Sequence, residues 1–256
     1  MKIKRKMFAE LRLLMICLGT INAMAQSTIF NTPTTDTVAP KSIYMEFDFL
    51  AQSPPNDYSK IYLYNYRLVV GMARALEFGI NFPIYNEPTS RGSSSNASIQ
   101  PNIKWKCYHH DPAGISIALG GILNTPAINR HQQDSWGMLY ALVSKRFTSR
   151  AYGPRLHAGS YKIVSANQDL EKGPISFLGA RTGAILGYEQ PMAKNISLVA
   201  DWFSGNNSIG YFTPGISIAV PYQGLINAGY SIGNDTWSSR SSVRNRYFFI
   251  YYGKTF

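Results

Sequence analysis

Apolar and polar residues alternate with a period near two along most of this chain. Within residues 43–49 every odd position is Ile, Met or Phe, whereas the even positions include Glu46 and Asp48. Residues 76–84 repeat the pattern, with Leu, Phe and Ile on one face and Glu77 and Asn81 on the other. A period of two places successive side chains on opposite faces of a strand, so the pattern predicts strands with one apolar face.

Gly, Pro, Asn, Asp and Ser interrupt the alternation at regular intervals and divide the chain into strand-length pieces. Most of these pieces have about ten to fourteen residues, which suits tilted strands that cross a bilayer. We predict twelve strands, over residues 41–51, 60–72, 75–85, 98–108, 113–123, 136–147, 152–162, 175–188, 195–204, 208–220, 223–233 and 243–256.

The connections between these strands alternate between long and short. Long polar stretches follow the odd-numbered strands, with the short join near residues 204–207 as the exception, and tight turns follow the even-numbered strands. A membrane barrel with long outer loops and short inner turns has this arrangement, whereas a soluble β-sandwich has no reason for it. The soluble sandwich stays open as an alternative. The long stretches are residues 52–59, 86–97, 124–135, 163–174 and 234–242.

The last predicted strand ends the sequence on an aromatic residue. Phe248, Ile250, Tyr252 and Phe256 share one face, and only Lys254 interrupts the row. This strand resembles the C-terminal signature of bacterial outer-membrane β-barrels. The resemblance implies an all-β fold, a closed antiparallel transmembrane barrel of about twelve strands, whose last strand pairs with the first. It also implies that the four residues form an assembly signal for the barrel-assembly machinery.

The N-terminal residues predict export. Four Lys or Arg residues among the first six precede a short apolar run over residues 13–21, and Ala23 and Ala25 supply small residues for cleavage. The run is too short to span a bilayer as a helix. We predict a cleaved signal peptide over residues 1–25, a periplasmic lead-in over 26–40 and a transmembrane barrel over 41–256 in the outer membrane of a Gram-negative cell.

Composition narrows the function classes. The predicted signal peptide holds five Lys or Arg residues and one Glu, so its removal lowers the formal charge from +11 by four, to +7. The remaining basic residues are scattered, which argues against a nucleic-acid partner and fits lipid head groups or anionic solutes. Only Cys107 remains after cleavage, so an internal disulfide is excluded, and closure of the barrel must provide the stability.

The polar strand faces define candidate lumen-lining residues. A Lys or Arg on the lipid face would cost about 2–4 kcal/mol near the midplane, so these charges are expected to face the lumen. Such a lumen would be a somewhat cationic conduit, or it would be plugged by opposite charges that pair across a narrow interior. The candidates are the bases Arg67, Lys104, Lys106, Arg155 and Arg181 and the acids Glu46, Asp48, Glu77 and Asp201.

The patterns that resemble catalytic or metal sites have simpler explanations. His157 and Ser160 are three residues apart, which places them on opposite faces of a strand and argues against a catalytic pair. His109, His110 and Asp111 lie in a short turn, where adjacent side chains point apart and a polar turn accounts for them. We predict no catalytic residue, no metal and no cofactor.

Residues 67–79 form a strand, a short turn and a second strand in which Glu77 precedes an aromatic residue and Gly79. This hairpin is similar to those of the barrels grouped with the phenol-degradation meta-pathway proteins, which implies a transporter or channel. The leading hypothesis is therefore a passive channel for small, anionic or aromatic solutes. The alternatives are a non-conducting structural or adhesive barrel and a barrel hydrolase.

Overall fold

The computed structural model describes residues 28–52, 62–89, 92–128, 135–147, 152–165, 181–205, 207, 209–234 and 246–256. The predicted signal peptide lies outside these residues. No helix in the described part of the chain is long and apolar enough to cross a membrane. The described residues form the strands β1 (Ile43–Gln52), β2 (Tyr62–Ala73), β3 (Leu76–Thr89), β4 (Gly92–His110), β5 (Ile115–Ile128), β6 (Trp136–Arg146), β7 (Arg155–Ser165), β8 (Thr182–Pro191), β9 (Ile196–Phe203), β10 (Tyr211–Val220), β11 (Gly224–Gly233) and β12 (Arg246–Thr255).

The strands form one closed antiparallel barrel. Each strand pairs with its neighbours in sequence, and β12 returns to pair with β1. In this closing register Phe47 lies opposite Tyr252 and Phe49 lies opposite Ile250. The ring therefore has no open sheet edge, and neighbouring strands satisfy one another's backbone hydrogen-bonding groups. The predicted fold class and the predicted pairing of the last strand with the first are confirmed.

The strands β4 and β5 are longer than the alternation predicts. Thr89 pairs with Gly92 and Ala97 pairs with Ile128, so the β3–β4 and β4–β5 ladders continue into stretches that we predicted as long loops. Strand pairing uses backbone groups, so a run rich in Ser and Asn can extend a ladder without an apolar pattern. The prediction of a long outer connection over residues 86–97 was therefore wrong.

The outer surface is apolar and the inner surface is polar. Met45 is 52% exposed and Ile103 is 51% exposed, whereas Glu46 is 4% exposed and Lys104 is 2% exposed. The predicted facing of these strands is confirmed. Trp136 is also buried, and it packs with Tyr140 on the inner face. The exposed apolar band is the surface that a barrel presents to hydrocarbon.

The segment before β1 lies inside the barrel. Residues 28–42, here called the N-terminal segment, were predicted as part of a periplasmic lead-in up to residue 40. Instead, Ile29 and Phe30 pack against Phe249 and Tyr251 on the inner face. Farther along, Pro40 forms a bridge to Gly71 near the end of β2. A polar inner wall leaves buried groups that need partners, and the segment supplies them.

Substitution of Ile250 by Lys tests the assignment of the outer face. Ile250 is 44% exposed in the middle of β12, where a charge facing hydrocarbon should lower the free energy of unfolding by about 2–4 kcal/mol. Equilibrium unfolding of the protein in lipid vesicles measures this loss. Met72→Lys is the control, because Met72 is 63% exposed near the end of β2 and the penalty near an interface is about 0–1 kcal/mol. Equal losses would contradict the assignment.

Candidate functional site

Three predicted lumen residues form one buried cluster on β1 and β2. Glu46 lies opposite Arg67 in the strand register, and Asp48 lies opposite Asn65. Arg67 Nη1 is 3.0 Å from Glu46 Oε1, and its Nη2 is 3.5 Å from Asp48 Oδ2. The Tyr44 hydroxyl donates to Glu46 Oε2 at 2.5 Å. Arg67 is thus held by two carboxylates and is not a free cation in the lumen.

Two further predicted residues pair across β3 and β4. Lys104 Nζ is 3.0 Å from Glu77 Oε1, and both side chains are almost fully buried. The second oxygen of Glu77 accepts a hydrogen bond of 2.7 Å from the backbone N–H of Val38. This carboxylate therefore ties the N-terminal segment to the wall as well as balancing the charge of Lys104.

Asp36 of the N-terminal segment binds the next two bases. Arg155 forms an ion pair with both oxygens of Asp36, and its Nη2 donates to Thr35 Oγ1 at 3.0 Å. Lys106 Nζ is 3.8 Å from Asp36 Oδ1. Burial alone would raise the pKa of Asp36, but Arg155 above all, with Lys106 and Lys104, lowers it from 3.8 to about 2. Asp36 is therefore ionised at neutral pH.

Asp201 anchors the beginning of the N-terminal segment. Its Oδ2 accepts hydrogen bonds from the backbone N–H groups of Phe30 at 3.1 Å, Asn31 at 2.8 Å and Thr32 at 2.9 Å. Three converging donors on one carboxylate oxygen make a compact anion-binding turn. Sequence reasoning placed Asp201 in the lumen, but it could not identify these partners, which are about 170 residues away.

A hydrogen-bonded chain of Ser144, His157 and Glu189 also contacts the N-terminal segment. Ser144 Oγ is 2.6 Å from His157 Nδ1, and His157 Nε2 is 2.7 Å from Glu189 Oε1. Ser144 lies opposite His157 on the neighbouring strand, a partner that the spacing of His157 and Ser160 along one strand could not reveal. The Thr35 hydroxyl donates to Ser144 Oγ at 2.9 Å, and Ser144 is 1% exposed.

The hydrogen-bonded residues Ser144, His157 and Glu189 are arranged differently from a serine hydrolase site. In such enzymes the nucleophile bonds Nε2 of the histidine and the acid bonds Nδ1, whereas here the two nitrogens are exchanged. The buried Ser144 hydroxyl also offers no room for a substrate. The arrangement is best understood as a polar contact that holds the segment at Thr35.

The remaining predicted residues lie apart from these clusters. Arg181 precedes β8, and its backbone carbonyl accepts a hydrogen bond from Ile163. His109 lies at the end of β4 rather than in the turn where it was predicted, and it bonds Ser116 of β5 and Asp111 of the following turn within 2.8 Å. The side chains of Phe248, Ile250, Tyr252 and Phe256 are exposed on the outer face. Their role as an assembly signal stays a prediction.

A cavity of about 300 Å³ lies beside the N-terminal segment. Thr28, Asn31 and Pro33 of the segment form part of its wall, and Arg67 and Asp48 belong to its polar part. The rest of the wall includes Tyr85, Trp136, Tyr211 and Tyr247, which lie at strand ends opposite the short turns. Glu77, the second residue of β3, also lines the cavity, so the cavity runs beside the segment toward the end of the barrel that carries the short turns.

No protein-family model and no curated protein matches the chain. Among solved structures it is similar to an outer-membrane channel from Pseudomonas putida F1, with 11% identity over 87% of this chain and 98% of that one and a TM-score of 0.54. It is also similar to outer membrane phospholipase A from Escherichia coli, with 12% identity over 90% and 96% of the two chains and a TM-score of 0.50. The chain has the fold of a bacterial outer-membrane barrel. At these identities the likeness concerns the fold alone.

Substitution of Asp201 by Ala should release the start of the N-terminal segment. Three backbone N–H groups lose a charged acceptor, and a hydrogen bond to a charged group contributes about 1.5–3 kcal/mol. We expect amide hydrogen exchange of residues 30–32 to accelerate at least tenfold, measured by mass spectrometry on the folded protein. The control is Asp111→Ala in an exposed turn, which should leave this exchange unchanged. Unchanged exchange in the Asp201 variant would refute the anchoring role.

The Asp36 ion pair predicts a pH dependence with a definite sign. Because the folded pKa of about 2 lies below the ordinary 3.8, the contribution of Asp36 is complete above about pH 4 and is lost as the pH falls toward 2. Exchange protection of residues 35–38, corrected for intrinsic rates, should therefore hold from pH 7 to pH 4 and decline below it. The variant Asp36→Asn should be less protected at pH 7 and lack that decline. A wild-type decline already complete at pH 5 would contradict the assignment.

Proposed function

We propose that this chain is an outer-membrane channel or transporter for small solutes, closed in the observed state by its own N-terminal segment. The observation that carries the proposal is the seating of the N-terminal segment inside a closed barrel, beside a cavity that the segment helps to line. A solute would enter the cavity from the outer side and pass toward the periplasm when the segment is displaced.

Four features support a membrane location. The outer face carries a continuous set of exposed apolar side chains, and the strands close without an open edge. The fold is shared with barrels that are known from the outer membrane. The short turns lie at the end where both β1 begins and β12 finishes, which suits a periplasmic side.

The segment is held by contacts that can be broken and re-formed. Its partners are the carboxylates of Asp201 and Glu77, the guanidinium of Arg155 and the hydroxyl of Ser144. No covalent link ties it to the described wall, apart from the chain continuing into β1. Displacement would expose polar groups to water, which would then satisfy them. The proposed mechanism is therefore gated passage, rather than the free diffusion that the sequence predicted.

The proposal assigns no reaction to the barrel. The serine that contacts a histidine is buried beneath Thr35, and the cavity wall does not include it. A non-conducting scaffold is the competing possibility, and current measurements separate it from a gated channel.

Planar-bilayer recording of the full-length protein tests the gate. We expect little current from the wild type and a stable, larger conductance from Asp36→Asn combined with Asp201→Ala, because two of the carboxylate contacts that hold the segment are removed. A variant lacking residues 28–40 should conduct in the same way if it assembles. The control, Asp111→Ala, should match the wild type.

Two outcomes would overturn this proposal. An absence of current from the folded double variant would show that segment release opens no path through the barrel. A wild-type conductance equal to that of the double variant would show that the segment does not close the lumen. Heat-modifiable mobility in gels would confirm that each variant is a folded barrel before it is recorded.

A further inference from the structure

We infer that the cavity beside the N-terminal segment binds an uncharged hydroxyl compound with an aromatic or aliphatic body, and that it discriminates against carboxylates. This inference names the solute class and rests on the proposed function for its role in transport. It requires only that the cavity be reached from solution, and it can therefore be tested by binding alone.

The apolar part of the cavity fits a small body. Its volume of about 300 Å³ lies at the lower end of the range for small-molecule pockets. Aromatic rings prefer offset or edge-on contacts with other rings, so a ring-bearing ligand gains more from these walls than an aliphatic one of the same size. The apolar and aromatic wall includes Leu50, Leu63, Ile122, Met138, Tyr140 and Phe203.

The polar part of the cavity presents three hydrogen-bond acceptors that lack partners within the protein. Asp48, Asn65 and Asn81 all line the cavity and are 2%, 7% and 8% exposed. One oxygen of each side chain, the Oδ1 atom, has no hydrogen-bond partner within the protein. Buried acceptors are rarely left unsatisfied, so a ligand donor or water is expected to reach them.

The orientation of these amides follows from their other contacts. Asn65 Nδ2 donates to Asp48 Oδ2 at 2.7 Å, which leaves the amide oxygen as the atom without a partner. Asn81 Nδ2 donates to Gln100 Oε1 at 3.4 Å, and Gln100 Nε2 donates in turn to Asn124 Oδ1 at 2.9 Å. Each amide thus donates to the next, from Asn81 through Gln100 to Asn124. The amide oxygen of Asn81 is left as an acceptor without a partner within the protein.

The charges in this region disfavour an anion. Glu46 and Asp48 are two carboxylates around the single guanidinium of Arg67, so a ligand carboxylate would add a third negative group. Arg67 Nε is a donor without a hydrogen-bond partner, and Arg67 lies directly opposite Asn81 in the strand register. A hydroxyl both donates and accepts, so it can satisfy Asn65 or Asn81 and also Arg67. An ammonium can donate only.

A matched set of four probes tests the inference on the full-length protein in detergent by titration calorimetry. The probes are 2-phenylethanol, 2-phenylethylamine, 2-phenylethyl methyl ether and phenylacetate, which share a ring and differ in their polar group. We expect the alcohol to bind about tenfold or more tightly than the ether. The alcohol can donate a hydrogen bond to a buried acceptor, whereas the ether has no donor and leaves that acceptor unsatisfied. The amine should be weaker than the alcohol, and phenylacetate should be the weakest.

Leucine variants locate the hydrogen bond. Asn81→Leu and Asn65→Leu should each weaken binding of 2-phenylethanol about five- to tenfold and leave the ether unchanged. The control is Asn227→Leu, because Asn227 is also buried with an unpartnered Oδ1 but does not line the cavity. If Asn65→Leu does not fold, Asn81→Leu with the four probes decides the question.

Some results would overturn the inference. Ether or phenylacetate binding as tight as that of the alcohol would do so, as would equal losses in the Asn81 and Asn227 variants. No binding of any probe would also refute it. Bilayer currents separate this failure from failure of the proposed function. If the variant with both Asp36→Asn and Asp201→Ala conducts but the protein binds no alcohol, the channel stands and the ligand class is rejected. If the protein binds the alcohol but that variant does not conduct, the binding site stands and the channel is rejected.

Discussion

The closing contact between β1 and β12 is the constraint on which the rest of this structure depends. Along it nine residue pairs, from Tyr44–Thr255 to Gln52–Tyr247, join the two ends of the sheet. A barrel that faces hydrocarbon cannot leave backbone groups unpaired, so closure must be complete. Once the ring is closed, the period of two sorts every strand into an apolar outer face and a polar inner face.

The inner face then creates a second requirement, because its charged side chains are removed from bulk water. Neighbouring strands meet part of it, as Arg67 does with Glu46 and Lys104 does with Glu77. The N-terminal segment meets the rest by giving Asp36 to Arg155 and backbone N–H groups to Asp201 and Glu77. Burial of a charge is tolerated only when it is paired, so the segment and the wall need each other.

The cavity and the N-terminal segment share residues, so the proposed binding and the proposed closure would be linked in one site. Arg67 holds two wall carboxylates and donates to Thr28 Oγ1 of the segment at 2.6 Å, and both Thr28 and Arg67 line the cavity. A solute bound there would touch the segment that we propose blocks its passage. Most of the predicted lumen residues do lie on the inner face, but the acids and the segment neutralise the bases. The expected cationic conduit is therefore absent from the described state.

The sequence by itself determined the twelve strands, the facing of residues such as Met45 and Glu46, and the pairing of the last strand with the first. These properties follow from a local period and from turn residues, which a single strand carries on its own. Only the tertiary structure decided that Ser144 meets His157, that Asn81 ends a chain of amides, and that Asp36 and Asp201 hold the N-terminal segment in the lumen. Each of these contacts is set by the strand register or joins residues more than a hundred positions apart. Register and distant pairing leave no periodic pattern in the sequence.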